Sequence, residues 1–477
     1  MIQHQSKKQT TASGFLLVLV LVFASIFLVI ISSFVGFVIT QNQVVNFRYE
    51  QQRATDIAEA GLNYYKWFLS HYPDDVTDGT GLPGPYVHQF KDPEGTFIGE
   101  FSLEINSSAY CGSVASIDIT STGHTYEDPS ATSIVSARYV RPTVAEYSFI
   151  TNAGVWYGSG GSVIGPLHSN QGIRMDSAHN SFIGSGQTSW TCDSSYGCGT
   201  SMTVDGVYTT SGNATPGLFS FPVTPVDFVG LTLDLNDIKD KSQNNGGLYY
   251  GPSGGYGYLV TFNGDGTVTI REVTGTQSYW SYSPSEGWHT SERNVITSSS
   301  LVATETIDSS CPLIYIEDKV WLEGEVTQKV SLAAADLSSA GQTNIVINDD
   351  ITYAPGTSAG ILAIAEDDVD IGLIIPGEDL DLDGIYIAQN GRFGRNHYST
   401  SYLVSSLDPY VLVGDLNEFG TVVTNNRAAT TWVNNSGNAV SGFTGGSSSF
   451  DRDQVNNPPP LAPQTSDVYK FMDWRQE

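Results

Sequence analysis

The longest uncharged stretch of the chain decides where the rest of the protein can fold. Residues 9–47 contain no charged side chain, and residues 15–39 are almost wholly apolar. A helix of ~20 apolar residues crosses the ~30 Å hydrocarbon layer of a membrane. A cleaved secretory signal is the alternative, but its apolar region runs only ~7 to 15 residues. The sequence therefore predicts a transmembrane helix.

The charges beside this helix predict its orientation. Lys7 and Lys8 come just before the apolar stretch. Basic residues are retained on the cytoplasmic side of a membrane. We therefore expect a single-pass membrane protein with a cytoplasmic N-terminus and an extracytoplasmic ectodomain, at the cell surface or in a pilus.

The helix is expected to continue beyond the membrane. Residues 44–69 contain no helix breaker, and Ile57, Leu62 and Leu69 keep a helical spacing. Pro73 then ends the helix. One long helix is therefore predicted to run from the membrane into the folded body.

The N-terminus also resembles a known family. A short basic, polar leader ends in Gly14, Phe15 opens the apolar helix, and Ala58–Leu62 reads Ala-Glu-Ala-Gly-Leu. This pattern, over about residues 1–70, is similar to type IV minor pilins and pseudopilins of the PilX-like kind. The resemblance implies cleavage by prepilin peptidase between Gly14 and Phe15, and other pilins or pseudopilins as partners through the helix.

The chain departs from the family at one position. Most pilins carry Glu as the fifth residue of the mature chain, and here that residue is Leu19. An unpaired charge in hydrocarbon is costly, so the family's Glu pairs with a neighbouring N-terminus. The K-type pseudopilin also lacks this Glu and sits at a tip. The resemblance therefore implies a tip or initiation role as an alternative to ordinary shaft packing.

Net charge excludes one class of function. The 50 Asp and Glu residues outnumber 21 Lys and Arg, which gives a net charge of -29. Such a surface repels a phosphate backbone, so we expect no nucleic-acid partner.

The remaining residues favour an α+β fold that is mostly β. Alternating runs at 96–105, 114–120 and 133–140 predict a small antiparallel sheet packed on the exposed half of the helix. Further on, a short apolar alternation, a polar turn and a second alternation recur. These repeats predict a β-solenoid-like ectodomain, with a β-sandwich as the alternative. The repeats lie at 313–324, 344–353, 361–372, 384–394 and 410–419, and residues 153–175 are read as the first coils.

Domain boundaries follow from these patterns. A helix at 231–241 and a hairpin at 258–270 interrupt the repeat, and Pro458 lies in a Pro-rich tail that reads as an extended strap. The predicted divisions are a leader (1–14), the helix (15–72), a small pilin-like β domain (73–148), the solenoid-like region (149–440, with an insertion at about 200–305) and the strap (441–477).

The four cysteines are read as disulfide candidates. Cys192 and Cys198 enclose a loop short enough to close as a local bridge in an oxidising compartment. Cys111 and Cys311 pair only if the fold brings distant segments together, and two buried free thiols are the equal alternative.

Other candidate chemistry is limited. Asp379, Asp381 and Asp383 match the opening of a calcium loop, but Asn390 occupies the position that requires Glu. The other interpretation is solvated acids on a strand. No Gly-x-Ser-x-Gly motif accompanies His168-Ser-Asn170, and adjacency in sequence is not the geometry of a catalytic triad. We therefore assign no catalytic residue, no firm metal site and no cofactor.

Two function hypotheses remain from the sequence. The first is a minor pilin or pseudopilin-like structural protein, not an enzyme, that acts in assembly or adhesion. The second is a membrane-anchored, carbohydrate-active β-solenoid enzyme or a carbohydrate-binding surface protein. Acids and aromatic residues that face one groove would favour the second.

Overall fold

The structure is a computed structural model that describes residues 13–73, 75–228, 235–338, 343–434, 436–466 and 468–476. Residues 1–12, which hold most of the predicted leader with Lys7 and Lys8, lie outside the described residues, as do residues 231–234 of the predicted inserted helix. The chain divides into two compact units. Unit 1 comprises Met1–Ile105, Ile119–Ala137 and Asp473–Glu477, and unit 2 comprises Asn106–Asp118 and Arg138–Met472.

Helix α1 (Ser13–His71) is continuous over 59 residues, about 90 Å at 1.5 Å per residue. Its C-terminal part buries one face because its apolar residues recur every three or four positions. The buried apolar residues are Ala54, Ile57, Ala58, Leu62, Tyr65, Phe68 and Leu69. One helix therefore combines an apolar N-terminal half with a C-terminal half that belongs to the core of unit 1.

The small sheet contains strands β1 (Tyr86–Lys91), β2 (Phe97–Tyr110), β3 (Ser113–Thr125) and β4 (Thr132–Val140). Within unit 1 it lies close against α1, since a Cβ added to Gly123 would meet backbone atoms of Ala54 and Ala58. A Cβ on Gly61 would likewise meet the side chains of Ser121 and Phe101. Small residues at these positions allow the close approach of helix and sheet.

The other strands lie in unit 2 except where noted. Those that precede helix α2 are β5 (Phe149–Thr151), β6 (Val155–Tyr157), β7 (Gly161–Ile164), β8 (Leu167–Ser169), β9 (Ile173–Met175), β10 (Ala178–His179), β11 (Ile183–Ser185), β12 (Ser189–Cys192), β13 (Met202–Asp205), β14 (Val207–Tyr208) and β15 (Phe219–Ser220).

Helix α2 (Leu235–Asn244) follows, and the remaining elements complete the chain. They are β16 (Leu248–Tyr250), β17 (Tyr258–Asn263), β18 (Thr267–Ser283), β19 (Gly287–Thr306), β20 (Leu313–Ile316), β21 (Val320–Val326), β22 (Lys329–Ala334), β23 (Ile345–Tyr353), β24 (Gly360–Ala365), β25 (Val369–Ile371), β26 (Leu380–Ala388), β27 (Phe393–Gly394), β28 (Leu412–Thr424), β29 (Thr431–Val433), β30 (Ala439–Ser449), α3 (Arg452–Asn456) and β31 (Lys470–Gln476). Strand β31 crosses from unit 2 to unit 1 and completes the small sheet in the order β1-β2-β3-β4-β31.

Most of unit 2 is a stack of coils joined by parallel pairing. One ladder runs β16-β20-β22-β24-β26-β28-β5-β8-β11-β15. A second runs β17-β21-β23-β25-β27, and a third runs β26-β28-β30-β7-β10. The predicted repeats at 313–324, 361–372 and 384–394 each supply two strands to these ladders, whereas those at 344–353 and 410–419 each fall on a single continuous strand, β23 and β28. The sequence prediction of a solenoid-like region, with a β-sandwich as its alternative, concerns these same segments.

The order of coils in this stack differs from their order in the chain. Strand β28, near the C-terminal end, pairs in parallel with β5, the first strand of the stack in sequence. Residues 153–175, which the sequence reads as the first coils, therefore lie beside the last coil and not at an end of the stack. We call the junction between β28 and β5 the seam.

The strands of the first ladder are buried on both sides. Ile314, Leu332 and Ala363 contribute to the core inside the stack. Tyr315 and Leu362 face a second core with α2. A sheet covered on both faces has continuous apolar strands instead of alternating ones, which explains segments such as residues 360–365.

Two further elements differ in extent from the sequence expectation. The predicted hairpin at 258–270 is the β17-β18 pair, but β18 extends to Ser283 and pairs with β19 as a long antiparallel ribbon. Strand β30 occupies residues 439–449, where the sequence predicts a strap from residue 441. The Pro-rich residues that follow pack on unit 2, since Pro460 accepts a hydrogen bond from Ser331 Oγ.

The predicted fold class is confirmed: a long N-terminal apolar helix precedes a mostly β ectodomain that contains an antiparallel sheet.

Candidate functional site

The N-terminal half of α1 presents an apolar surface that nothing in the described part of the chain covers. Every residue from Gly14 to Tyr49 is exposed, and Glu50 is the first buried residue of the helix. This helix is long and apolar enough to cross a membrane. A surface of this kind is stable only in lipid or against other apolar helices, because water does not solvate it favourably.

The predicted processing pair lies at the start of this surface. A Cβ added to Gly14 would meet no other atom within 4 Å, and the Phe15 side chain is 77% exposed. Leu19 follows one turn later and is 44% exposed. The structure therefore leaves this segment free of contacts with the described residues, and its cleavage remains a prediction.

A charged cluster marks the point where α1 becomes buried within unit 1. The guanidinium of Arg53 lies 3.1 Å from the Glu50 carboxylate and 3.4 Å from that of Glu127 on the β3-β4 connection. Glu50 is only 5% exposed, so its carboxylate needs this cation as a partner. The cluster separates the apolar half of the helix from the half that packs on the sheet.

The four cysteines form two pairs in unit 2. Cys192 is bonded to Cys198, six residues later, across the turn that joins β12 and β13. Cys111 is bonded to Cys311, which is 200 residues away in sequence. Cys311 borders α2, where its Sγ lies 4.0 Å from the carbonyl oxygen of Lys241. The second bridge thus connects the β2-β3 tip to the stack.

The three aspartates of the calcium candidate face different partners. Asp379 accepts a hydrogen bond from the backbone N–H of Asp415, and Asp383 accepts one from that of Tyr353. Asp381 accepts one from the side-chain amide of Asn417. Each carboxylate thereby holds a strand of a neighbouring coil. Among the described residues, no three His, Cys, Asp or Glu side chains are grouped closely enough to bind a metal ion.

His168 and Asn170 lie next to the seam: His168 is on β8, which pairs with β5, and Asn170 follows it. His168 Nε2 lies 2.8 Å from Asn170 Oδ1, and burial lowers the pKa of His168 although this hydrogen bond opposes the shift. Asn170 donates to Asn152 Oδ1 at 2.9 Å, and Asn152 donates to Asn425 Oδ1 at 2.9 Å. We call the three amides Asn425, Asn152 and Asn170 the asparagine ladder. It connects coils that come from the beginning and from the end of the solenoid-like region in sequence.

One feature was missed by sequence reasoning altogether. A cavity of about 370 Å³ in unit 2 is lined by residues from three separate segments: His397, Tyr398, Ser399, Thr400, Asp408, Val411, Leu412 and Val440. Rings from the β18-β19 ribbon lie next to it, with the Trp288 ring centroid 5.2 Å from that of His397. These lining residues and Trp288 are too far apart in sequence to form a motif. Only their aromatic and polar side-chain types suggest that the cavity could recognise a ligand.

Comparisons with known proteins add little. No protein-family model matches the sequence, and no curated protein matches it. Among solved structures the chain is similar to the competence-associated pilin ComZ from Thermus thermophilus, with 12% sequence identity and a TM-score of 0.30. The similarity covers 90% of this chain and 97% of that chain. At this TM-score it carries no argument about fold or function.

Proposed function

We propose that this chain is a membrane-anchored, pilin-like structural protein that displays a large β ectodomain outside the membrane. Its role is assembly and contact, not catalysis. The observation that carries the proposal is the continuity of α1. The same helix exposes apolar residues from Gly14 to Ile39 and buries Ile57, Leu62 and Leu69 against a small antiparallel sheet in unit 1.

The anchor half of the helix supports insertion beside other helices. Its exposed surface is uncharged over a length that matches the ~30 Å hydrocarbon layer. In filaments of pilin-like proteins, such surfaces pack on the helices of neighbouring copies, which replaces lipid by protein. We infer that other pilins or pseudopilins are the partners of this segment.

Processing of the N-terminus tests this proposal directly. Mass spectrometry of the protein from its native host is expected to show Phe15 as the first residue. Gly14→Val is the matched variant, since it should block cleavage without touching the ectodomain. An unchanged Met1 in the mature wild-type protein would contradict the pilin-like assignment, whereas membrane extraction at high pH would still report whether the helix is an anchor.

Leu19 supports a position at the filament tip. A subunit at the tip has none above it to supply the N-terminal amine that a fifth-position Glu would meet, so an apolar residue is less costly there. Quantitative mass spectrometry of purified filaments is expected to find few copies relative to the major subunit. Many copies along the shaft would contradict the tip position and leave the anchor intact.

A further inference from the structure

We propose that the cavity beside His397 is a binding site for a neutral saccharide ring. We call it the aromatic cleft, and we define it by the lining residues His397, Ser399, Thr400 and Asp408 together with the adjacent ring of Trp288. The inference goes beyond the proposed function, because it concerns unit 2 alone and does not depend on assembly through α1.

Two polar atoms in the cleft lack partners. His397 Nδ1 and Asp408 Oδ1 are both buried, and neither has a hydrogen-bond partner among the residues that the structure describes. Leaving a buried polar atom unpaired is unfavourable, so we expect two such atoms that line one cavity to bind a ligand. Burial lowers the pKa of His397, which keeps its imidazole neutral near pH 7.

Aromatic rings form a platform beside these atoms. The Trp288 ring centroid lies 5.1 Å from that of Tyr402 and 5.8 Å from that of Tyr282. His397 is also next to Trp432, with 5.6 Å between ring centroids. Trp288 and Tyr402 remain 40% and 56% exposed. Large aromatic side chains that stay exposed while packed on one another are typical of recognition surfaces.

A buried arginine makes the cleft rigid. Arg395 is fully buried and donates hydrogen bonds to the carbonyl oxygens of Leu373, Tyr410 and Val411. Its guanidinium also stacks over the ring of Tyr398, 5.1 Å from the centroid. These contacts fix both walls of the cavity before any ligand arrives, and a pre-organised site loses less entropy on binding.

The chemistry of the cleft favours a saccharide over other ligands. An anion is disfavoured by the Asp408 carboxylate and by the net charge of -29. A quaternary ammonium needs rings arranged around an open cage, whereas these rings pack against each other. A pyranose ring offers a C–H face for Trp288 and hydroxyl groups for Asp408, His397 and Ser399. The cavity volume of about 370 Å³ lies in the range of small-ligand sites.

Saturation-transfer NMR on the full chain tests the proposal. The protein is reconstituted in phosphatidylglycerol nanodiscs, which avoids sugar-based detergents and choline lipids. The probes are D-glucose, D-galactose and N-acetylglucosamine, with choline as the competing chemistry. We expect transfer to at least one sugar, strongest at the C–H protons of one ring face.

Matched variants locate the binding site. Trp288→Ala is expected to weaken binding at least tenfold. Trp474→Ala is the control and should leave binding unchanged, because Trp474 is an exposed tryptophan of unit 1 (49%, against 40% for Trp288). Because Trp288→Ala could unfold the ribbon, Asp408→Asn serves as an isosteric second variant and should also weaken binding about tenfold. Transfer to choline alone would overturn the proposal, as would no transfer to any of the three sugars at 10 mM, which is about tenfold above the upper end of typical KM values. Transfer in both cleft variants that equals transfer in the wild type would also overturn it.

Discussion

Lys329 shows how burial shifts a single ionisable group in unit 2. Its side chain is 5% exposed, and its Nζ has no hydrogen-bond partner in the described part of the chain. Burial lowers its pKa from 10.5 to about 8, while the charges of Asp451 and Asp453 oppose this shift. An amine at this position is therefore protonated at neutral pH at a cost to folding.

Replacement of Lys329 by methionine should change how stability depends on pH. Between pH 8 and 10.5 the unfolded chain binds the proton and the folded chain has lost it, so wild-type stability rises with pH in this window. Lys329→Met removes this rise and is expected to be the more stable protein at pH 7, by about 2–3 kcal/mol at most. Urea unfolding from pH 7 to 10.5 measures the difference. A constant gap between the two proteins would contradict the shifted pKa.

Leu19 gives a second prediction at the residue scale. An acid near the centre of a membrane helix costs roughly 2.5 to 3.5 kcal/mol, and less near the interface. Leu19 is the fifth residue of the apolar stretch that begins at Phe15. Leu19→Glu is therefore expected to leave membrane insertion unchanged or to weaken it, and Leu19→Met should match the wild type. The fraction of protein resistant to alkaline extraction measures this. A rise in filament incorporation on Leu19→Glu would instead place the protein in the shaft.

At the scale of elements, helix α1 and strand β3 are held in register by a glycine within unit 1. A Cβ at Gly123 would meet the backbone of Ala54 and Ala58, which cannot move aside as a flexible side chain can. Gly123→Ala is expected to lower the free energy of unfolding by about 1–3 kcal/mol. Gly199→Ala is the matched control because no atom lies within 4 Å of its added Cβ. Equal melting temperatures for the two variants would show that the helix shifts freely.

The two disulfides should differ in their contribution to stability. A bridge restricts the unfolded chain more when it closes a longer loop, by about 5 kcal/mol for a loop of 200 residues and about 2 kcal/mol for one of six. Replacing Cys111 and Cys311 by Ser should therefore destabilise the protein more than replacing Cys192 and Cys198. Chemical denaturation of both double variants measures this. The opposite order, or free thiols in the exported wild-type protein, would argue against these pairings.

At the scale of the whole stack, the asparagine ladder joins segments that are 273 residues apart in sequence. Asn152→Ala removes the acceptor for Asn170 and the donor for Asn425, so we expect a loss of about 1–3 kcal/mol. Asn213→Ala, at an exposed position, should have no effect. Hydrogen exchange of β5 and β28 locates the change. Unaltered protection of both strands in Asn152→Ala would show that the seam does not depend on these amides.

Sequence patterns predicted the coils but not their arrangement. Segments such as residues 313–324 and 361–372 each show two strands and a polar corner, because local periodicity records which residues face a core. The pairing of β28 with β5 leaves no such record, since backbone hydrogen bonds between strands are largely independent of side-chain identity. The long apolar helix was readable from the lack of charge alone. The aromatic cleft was not, because His397, Asp408 and Trp288 meet only through the folded stack.

The seam also has a mechanical consequence for unit 2. The chain enters the stack at β5 and leaves it after β30, and these strands belong to neighbouring coils near its middle. Tension applied between residues 149 and 449 therefore passes through the β28, β5, β7 and β30 pairings. The outer coils carry almost no load. A pull on this protein would be borne by one short set of hydrogen bonds. Leu412 and Val440 at the edge of the aromatic cleft lie on β28 and β30 and would feel the load directly, whereas the β18-β19 ribbon would be strained only after that set had broken.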